Sequence, residues 1–363
     1  MTSTNARMFL WLGLVLALWL NYETWQRDYA LPVPPAATTA AAAPSAKEVT
    51  GLAASVPQAA VTATGDASAV PEAAATSVTA PEASTTPTSV ASTINVVTDV
   101  LNVEISLRGG DLVLADLSQY PLVKGEDTRV RLLNTNPSNF YLLQTGLTGA
   151  AGEARPTHLA DFEAAQTEYR LSDGADELRV PLVWRDAVSG VTVTKTYVFK
   201  RGQYRVDLRY DVENAGANAW RAASYAQILR NDPPVETSMF SVESYAFQGP
   251  AFYDGVKYEK LDREDAEDRA LARDIQGGWI ARMQHHFVTA IVPAGSASYR
   301  YTLKTDGNQY LLSTTGPSVT VAPGSGATFE ETLFVGPKLQ AQLEKTGPRL
   351  DLVADYGVLT LLA

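Results

Sequence analysis

Three histidines, His158, His285 and His286, are the side chains of this sequence whose unperturbed ionisation falls near neutral pH. General acid–base chemistry needs such a group opposite a second proton carrier. His158 sits in a Pro-Thr-His-Leu stretch that reads as a loop. His285 and His286 are adjacent in a segment that reads as a strand, so they should point to opposite faces, and at most one can line a given cleft. Their ordinary reading is as strand residues. Asp262, Glu264, Asp265, Glu267 and Asp268 gather carboxylates, but Arg263 and Arg269 interrupt them and no central glycine shapes a calcium loop. The run reads as a solvated face. Gly277-Gly278-Trp279 reads as a tight turn before a strand, with Trp279 as core filler. The chain has no cysteine, which removes disulfides, thiolate metal sites and cysteine nucleophiles. No phosphate-cradling glycine loop, zinc spacing or nucleophile elbow occurs either. These residues point to no catalytic, cofactor or metal site.

The elements that carry them fall into three regions. Residues 1–30 hold a membrane anchor, a helix over about 8–25. Met8 to Leu20 is free of charge, and Met8, Leu10, Trp11, Leu14 and Leu18 supply its apolar length. Trp19, Tyr22 and Trp25 place aromatic rings near its far end, where interfacial belts form. A cleaved signal peptide is the rival reading, and the absence of a small-x-small site after Leu20 counts against it. Residues 31–94 read as a disordered Ala/Pro/Thr-rich linker without an aromatic residue, too poor in apolar area to offset its ordering entropy.

Residues 95–350 read as an all-β domain. Leu101, Val103, Ile105 and Leu107 alternate with polar residues up to a Gly109-Gly110-Asp111 turn. Tyr204, Val206, Leu208, Tyr210 and Val212 alternate with Arg205, Asp207, Arg209, Asp211 and Glu213, and Arg201-Gly202 turns the chain back to an alternating stretch over 191–200. Further strands are expected over 287–292, 299–304, 310–313, 318–321 and 328–335, the layout of one extended double sheet. Helical patterns occur over 262–275 and 337–345, the second with Leu339 and Leu343 four residues apart. Residues 351–363 turn apolar and read as the truncated start of a membrane-associated segment. The net charge is -11, and the linker carries -3 of it. The rest is a solvated acidic surface on the domain. Such a balance excludes nucleic acid as a partner.

Segments 98–112 (TDVLNVEISLRGGDL), 120–133, 139–149, 194–214 (TKTYVFKRGQYRVDLRYDVEN), 257–260, 277–293, 331–338 and 348–357 resemble, in order, the large periplasmic domain of Gram-negative YidC-type membrane-protein insertases. The resemblance implies a β-supersandwich similar to galactose mutarotases with short carboxyl-terminal helices. It also implies a non-enzymatic chaperone role in inserting and folding inner-membrane proteins. The implied partners are nascent inner-membrane proteins, the Sec translocon and its SecDF accessory subunits, with membrane lipid around the amino-terminal helix. The implied location is the bacterial inner membrane, with the main domain in the periplasm. The family's five-helix membrane core has no counterpart in this sequence. The mutarotase-like fold raises an alternative, a membrane-tethered carbohydrate-binding or epimerase-like domain. The histidines, one in a loop and two adjacent in a strand, have no convergent acid–base partner, which argues against it.

The anchor reading has a direct test. Alkaline carbonate washing of membranes should leave the chain in the pellet at full length. Release of a shortened soluble form would establish the signal-peptide reading instead.

Overall fold

The computed structural model of the protein describes Trp19 and residues 51–58, 93–149, 154–233 and 247–354. The period-two segments become strands. In chain order they are β1 Thr93–Val97, β2 Leu101–Ser106, β3 Leu112–Pro121, β4 Arg129–Leu133, β5 Tyr141–Thr148, β6 Glu163–Ala164, β7 Glu168–Arg170, β8 Glu177–Asp186, β9 Val191–Lys200 and β10 Arg205–Asn214. There follow β11 Trp220–Asn231, β12 Gly249–Tyr253, β13 Tyr258–Lys260, β14 Ala272–Gln276, β15 Trp279–Met283, β16 Phe287–Pro293, β17 Ser298–Asp306, β18 Gln309–Thr315, β19 Val319–Val321 and β20 Ser325–Pro337. An 11-stranded sheet runs β14-β17-β18-β11-β5-β3-β2-β1-β7, with β19 beside β11 and β4 beside β3. A 9-stranded sheet runs β13-β12-β15-β16-β20-β10-β9-β8-β6. The all-β expectation holds. The strands that end the large sheet are five and three residues long, and those that end the small one are three and two.

β9 and β10 show why the sequence makes these sheets. Val206, Leu208, Tyr210 and Val212 are all buried, each such side chain contributing about 1.5–3 kcal/mol by leaving water. Arg205, Asp207, Arg209 and Asp211 stand on the opposite face and pair along the strand. Gly202, at φ 69°, supplies the left-handed residue that the β9–β10 turn needs. Trp279 opens β15 as the expected core filler, and its Nε1 donates to Pro348 O at 2.9 Å.

Several local expectations are corrected. The acidic run forms a single helical turn, α1 Ala266–Arg269, because Asp265 caps it while Leu271 and Ile275 are drawn into the core by β14. The later helix, α2, is Gln340–Thr346. Leu343 packs inward, but Leu339 precedes the helix and stays 40% exposed. His285 and His286 lie between β15 and β16 rather than in a strand, with their rings 4.1 Å apart. Packing continues past 350 through a 3-10 turn, Leu350–Val353, both of whose named ends are buried. Of the expected anchor, Trp19 is described, helical and exposed. Met8, Leu10, Trp11, Leu14, Leu18, Tyr22 and Trp25 lie outside the described residues, as do 355–363. Among the described residues no helix is long and apolar enough to cross a membrane.

The two sheets meet over a buried polar centre. Lys195 of β9 is fully buried, and its ammonium donates to Gly109 O at 2.9 Å and Thr145 O at 3.1 Å. Asp111 Oδ1 stands 3.9 Å away. Phe162, Tyr197 and Tyr210 surround the ammonium with ring centroids within 5.6 Å. Gly109 and Gly110 both adopt positive φ, which lets the turn aim its two carbonyls between the sheets, where Tyr197 OH donates to Gly110 O at 2.6 Å. A Cβ on Gly110 would press on Lys195 itself.

Glu331 of β20 shares this interior. Burial pushes the Asp111 and Glu331 carboxyls up to about 7 and the Lys195 ammonium down to about 8, against the attraction between them. Asp111 accepts from Thr145 N–H at 3.0 Å and keeps the charge that faces Lys195. Glu331 lacks such a main-chain donor, and its carboxyl oxygens have no hydrogen-bond partner among the described residues. A carboxyl raised from 4.5 to about 7 holds a proton that the unfolded chain has already released. Its stabilising effect is therefore complete at low pH and declines as pH rises through that window. Glu331→Gln should remove the decline. Between pH 5 and pH 8 the melting temperature of the variant should gain roughly 5–10 °C on the parent. A difference that does not change with pH would refute the assignment.

Candidate functional site

The second face of the large sheet carries a polar row. Residues paired directly across strands point the same way. The register therefore aligns Gln144 of β5, Gln227 of β11, Ser313 of β18 and Thr302 of β17. This row points away from the small sheet, because the next residue of β5, Thr145, reaches Tyr197 between the sheets. Gln227 Nε2 donates to Gln144 Oε1 at 2.8 Å. Both glutamines and Ser313 are buried. Leu229 and Leu311, paired one step along the same face, are buried too, though outside the main apolar cluster.

Part of what covers this face comes from the expected linker. Gly51–Ala54 forms a 3-10 turn against β17 and β18, and the chain continues without regular structure to Gln58. Leu52 to Pro57 are each half-buried. His158 Nε2 lies 3.0 Å from Ala53 O, Gln227 Nε2 donates to Ser55 O at 3.4 Å, and Thr148 Oγ1 donates to Pro57 O at 2.7 Å. Lys304 Nζ donates to Ser55 Oγ at 2.9 Å. The expectation of an unpacked spacer fails over these eight residues. Leu52, Val56 and Pro57 give the segment apolar surface, and polar side chains of the sheet satisfy its carbonyls.

His158 ties this cover to β11. Its backbone N–H donates to Tyr225 OH at 2.9 Å, and the ring Nδ1 lies 2.7 Å from the same oxygen. Tyr225 O–H must then donate to Nδ1, which leaves the proton of the neutral ring on Nε2, aimed at Ala53 O. Burial holds the imidazole down to about 4. Both ring nitrogens are engaged and no carboxylate joins them, so His158 is a fixed donor and not a proton shuttle. His285 and His286 contact each other elsewhere in the fold. A separate cavity of about 500 Å³ opens by β10, β17 and β20, lined by Arg209, Ser224, Tyr299, Val319, Phe329 and Glu330. Arg209 and Glu330 pair there at 3.2 Å. Among the described residues no group of carboxylates or histidines is spaced to hold a metal ion.

Fold and face together define a large two-sheet β domain whose buried polar residues grip backbone. The chain belongs to the YidC family: the family model described as "YidC periplasmic domain" matches residues 93–363. The protein of Thioalkalivibrio sulfidiphilus called "Membrane protein insertase YidC" is 39% identical, over 99% of this chain and 63% of its own length. The protein of the same name from Alkalilimnicola ehrlichii is also 39% identical, over 99% of this chain and 61% of its own length. The chain thus spans about three fifths of these relatives. Among solved structures, a putative aldose 1-epimerase from Escherichia coli K12 aligns at TM-score 0.40 and 13% identity, over 67% of this chain and 98% of its own. A galactose mutarotase related enzyme from Lactobacillus acidophilus aligns at TM-score 0.43 and 11% identity, over 67% of this chain and 97% of its own.

Sequence reasoning missed the residues that organise the site. Lys195 shares parity with Val191, Val193, Tyr197 and Phe199, and Glu331 with Phe329, Leu333 and Val335. A charge on the apolar phase of an alternating strand was the available signal. Gln144, Thr148 and Gln227 gave none. The tautomer argument can be checked by NMR. Because the folded pKa of His158 is depressed, its stabilising effect is full above about pH 6.5 and is lost as pH falls toward 4. The His158 ring should stay neutral, with the proton on Nε2, from pH 8 down to pH 5. A titration midpoint near 6.5 would overturn the network.

Proposed function

We propose that this chain is the anchor and periplasmic part of a membrane-protein insertase, acting on nascent inner-membrane proteins alone or with the Sec translocon and SecDF. The observation that carries this reading is the family match over 93–363 together with relatives named as insertases. In this reading residues 1–30 anchor the chain through a helix over about 8–25, residues 31–94 link it to the domain, and the domain lies in the periplasm. Its role there is binding rather than catalysis. Insertion moves polar groups through hydrocarbon, where each unsatisfied group costs several kcal/mol. A path that lowers this barrier must be hydrated and polar within the membrane. Met8 to Leu20 contains no charged residue and makes one helix at most, so it cannot line such a path. The domain offers contact outside the membrane instead.

Two arms test this. Photo-reactive residues at Val188 and Val256, which are 96% and 89% exposed, should cross-link in living bacteria to nascent inner-membrane proteins or to SecDF. Residues 1–363 should not restore growth to cells depleted of insertase, while the full-length Thioalkalivibrio relative should. Cross-links only to soluble periplasmic proteins would sink the partner assignment. Rescue by residues 1–363 would sink the division of labour.

A further inference from the structure

The contacts over Gly51–Gln58 have the form of a receptor and its ligand. Three carbonyls at alternate positions, Ala53, Ser55 and Pro57, are met by three side chains from separate places in the fold. Those side chains, His158, Gln227 and Thr148, are all at least nine-tenths buried. A buried donor left without an acceptor is destabilising. One of the three is shared: Gln227 also holds Gln144, whereas His158 Nε2 and Thr148 Oγ1 are directed at the segment. The receptor is thus built around an acceptor-bearing main chain. The ligand side chains are small or apolar and uncharged, and the cation among the contacts, Lys304, takes the Ser55 hydroxyl.

We propose that this face is a binding site for a short uncharged peptide, read through its backbone carbonyls, and that its resident occupant is the chain's own Gly51–Gln58. The segment is a docking element within the linker. It fixes a second point of attachment, so the 34 residues between Gln58 and Thr93 have both ends held on the domain. Occupancy in cis follows from proximity. A linker of this order gives an effective concentration on the order of millimolar, so a segment that is docked nine times in ten requires a dissociation constant in trans of about 0.1 mM or tighter. The inference does not depend on the insertase reading.

The test uses full-length chains in detergent. A variant with residues 51–58 deleted vacates the site and should keep its strand-dominated circular dichroism. A fluorescent Gly-Leu-Ala-Ala-Ser-Val-Pro-Gln peptide should bind that variant with a dissociation constant of about 0.1 mM or below, and bind the parent at least tenfold more weakly. Adding Gln227→Leu or Thr148→Val to the vacated variant should weaken the peptide at least fivefold. Equal binding to parent and variant, or none to a folded variant, overturns the proposal. The absence of native cysteine allows a second readout. Ser55→Cys with Lys304→Cys, which leaves the three carbonyl donors in place, should cross-link within one chain through a short bismaleimide. Cross-links between chains would show that the occupant is a second copy, and would overturn the assignment in cis.

Discussion

A single ammonium group sets the terms for the rest of the domain. Lys195 is placed between two sheets, where a charge is tolerated only if several acceptors surround it. Those acceptors come from the other sheet: Gly109 and Thr145 by their carbonyls, Asp111 by its charge. Meeting them fixes how β9 lies over the β2–β3 turn and over β5. The same turn carries the constraint outward. Gly109 N–H donates to Ala160 O at 2.7 Å, so the 154–160 loop is stacked on the glycine that receives Lys195. That loop holds His158, and His158 holds Ala53. The core and the covered face are successive steps of one hydrogen-bonded path.

This path explains which parts were legible in the sequence. Segments 98–112, 139–149 and 194–214, three of those that carry the family resemblance, meet at Lys195. The period-two pattern located β2, β9 and β10 almost to the residue, since half-buried strands with one charged face write their orientation into the chain. Charge density misled the reading of 262–275. A run that looks helical by its acids and arginines becomes a strand after one turn, because Ile275 is claimed by the core through pairing with β17. His285 and His286, expected in a strand, fall instead at the turn of a hairpin, between the paired strands β15 and β16. The docked segment was the least legible. Its partners take its main-chain carbonyls, and backbone recognition leaves no side-chain pattern to read.

The outward charges of β10 and the interior acid of β20 also show how one sheet serves two environments. Arg209 pairs with Asp211 and Glu330 at the solvent face, where such pairs contribute little. One residue further along β20, Glu331 points inward, and burial pushes its carboxyl up to about 7. The alternation of the pleat separates the two chemistries by a single peptide unit.

The short strands that end both sheets have a consequence for the company such a domain can keep. An open sheet edge is a template: its unpaired N–H and C=O groups recruit any extended chain that passes, and growth from there leads to cross-β aggregates. Here the outermost strands offer only two to five residues each. They carry Glu163, Glu168, Arg170, Glu259, Lys260, Arg273 and Asp274, and Arg273 is paired to Glu259 while Asp274 is paired to Arg300. Among the described residues, the sheet ends offer an extended polypeptide no long, flat row to zip against.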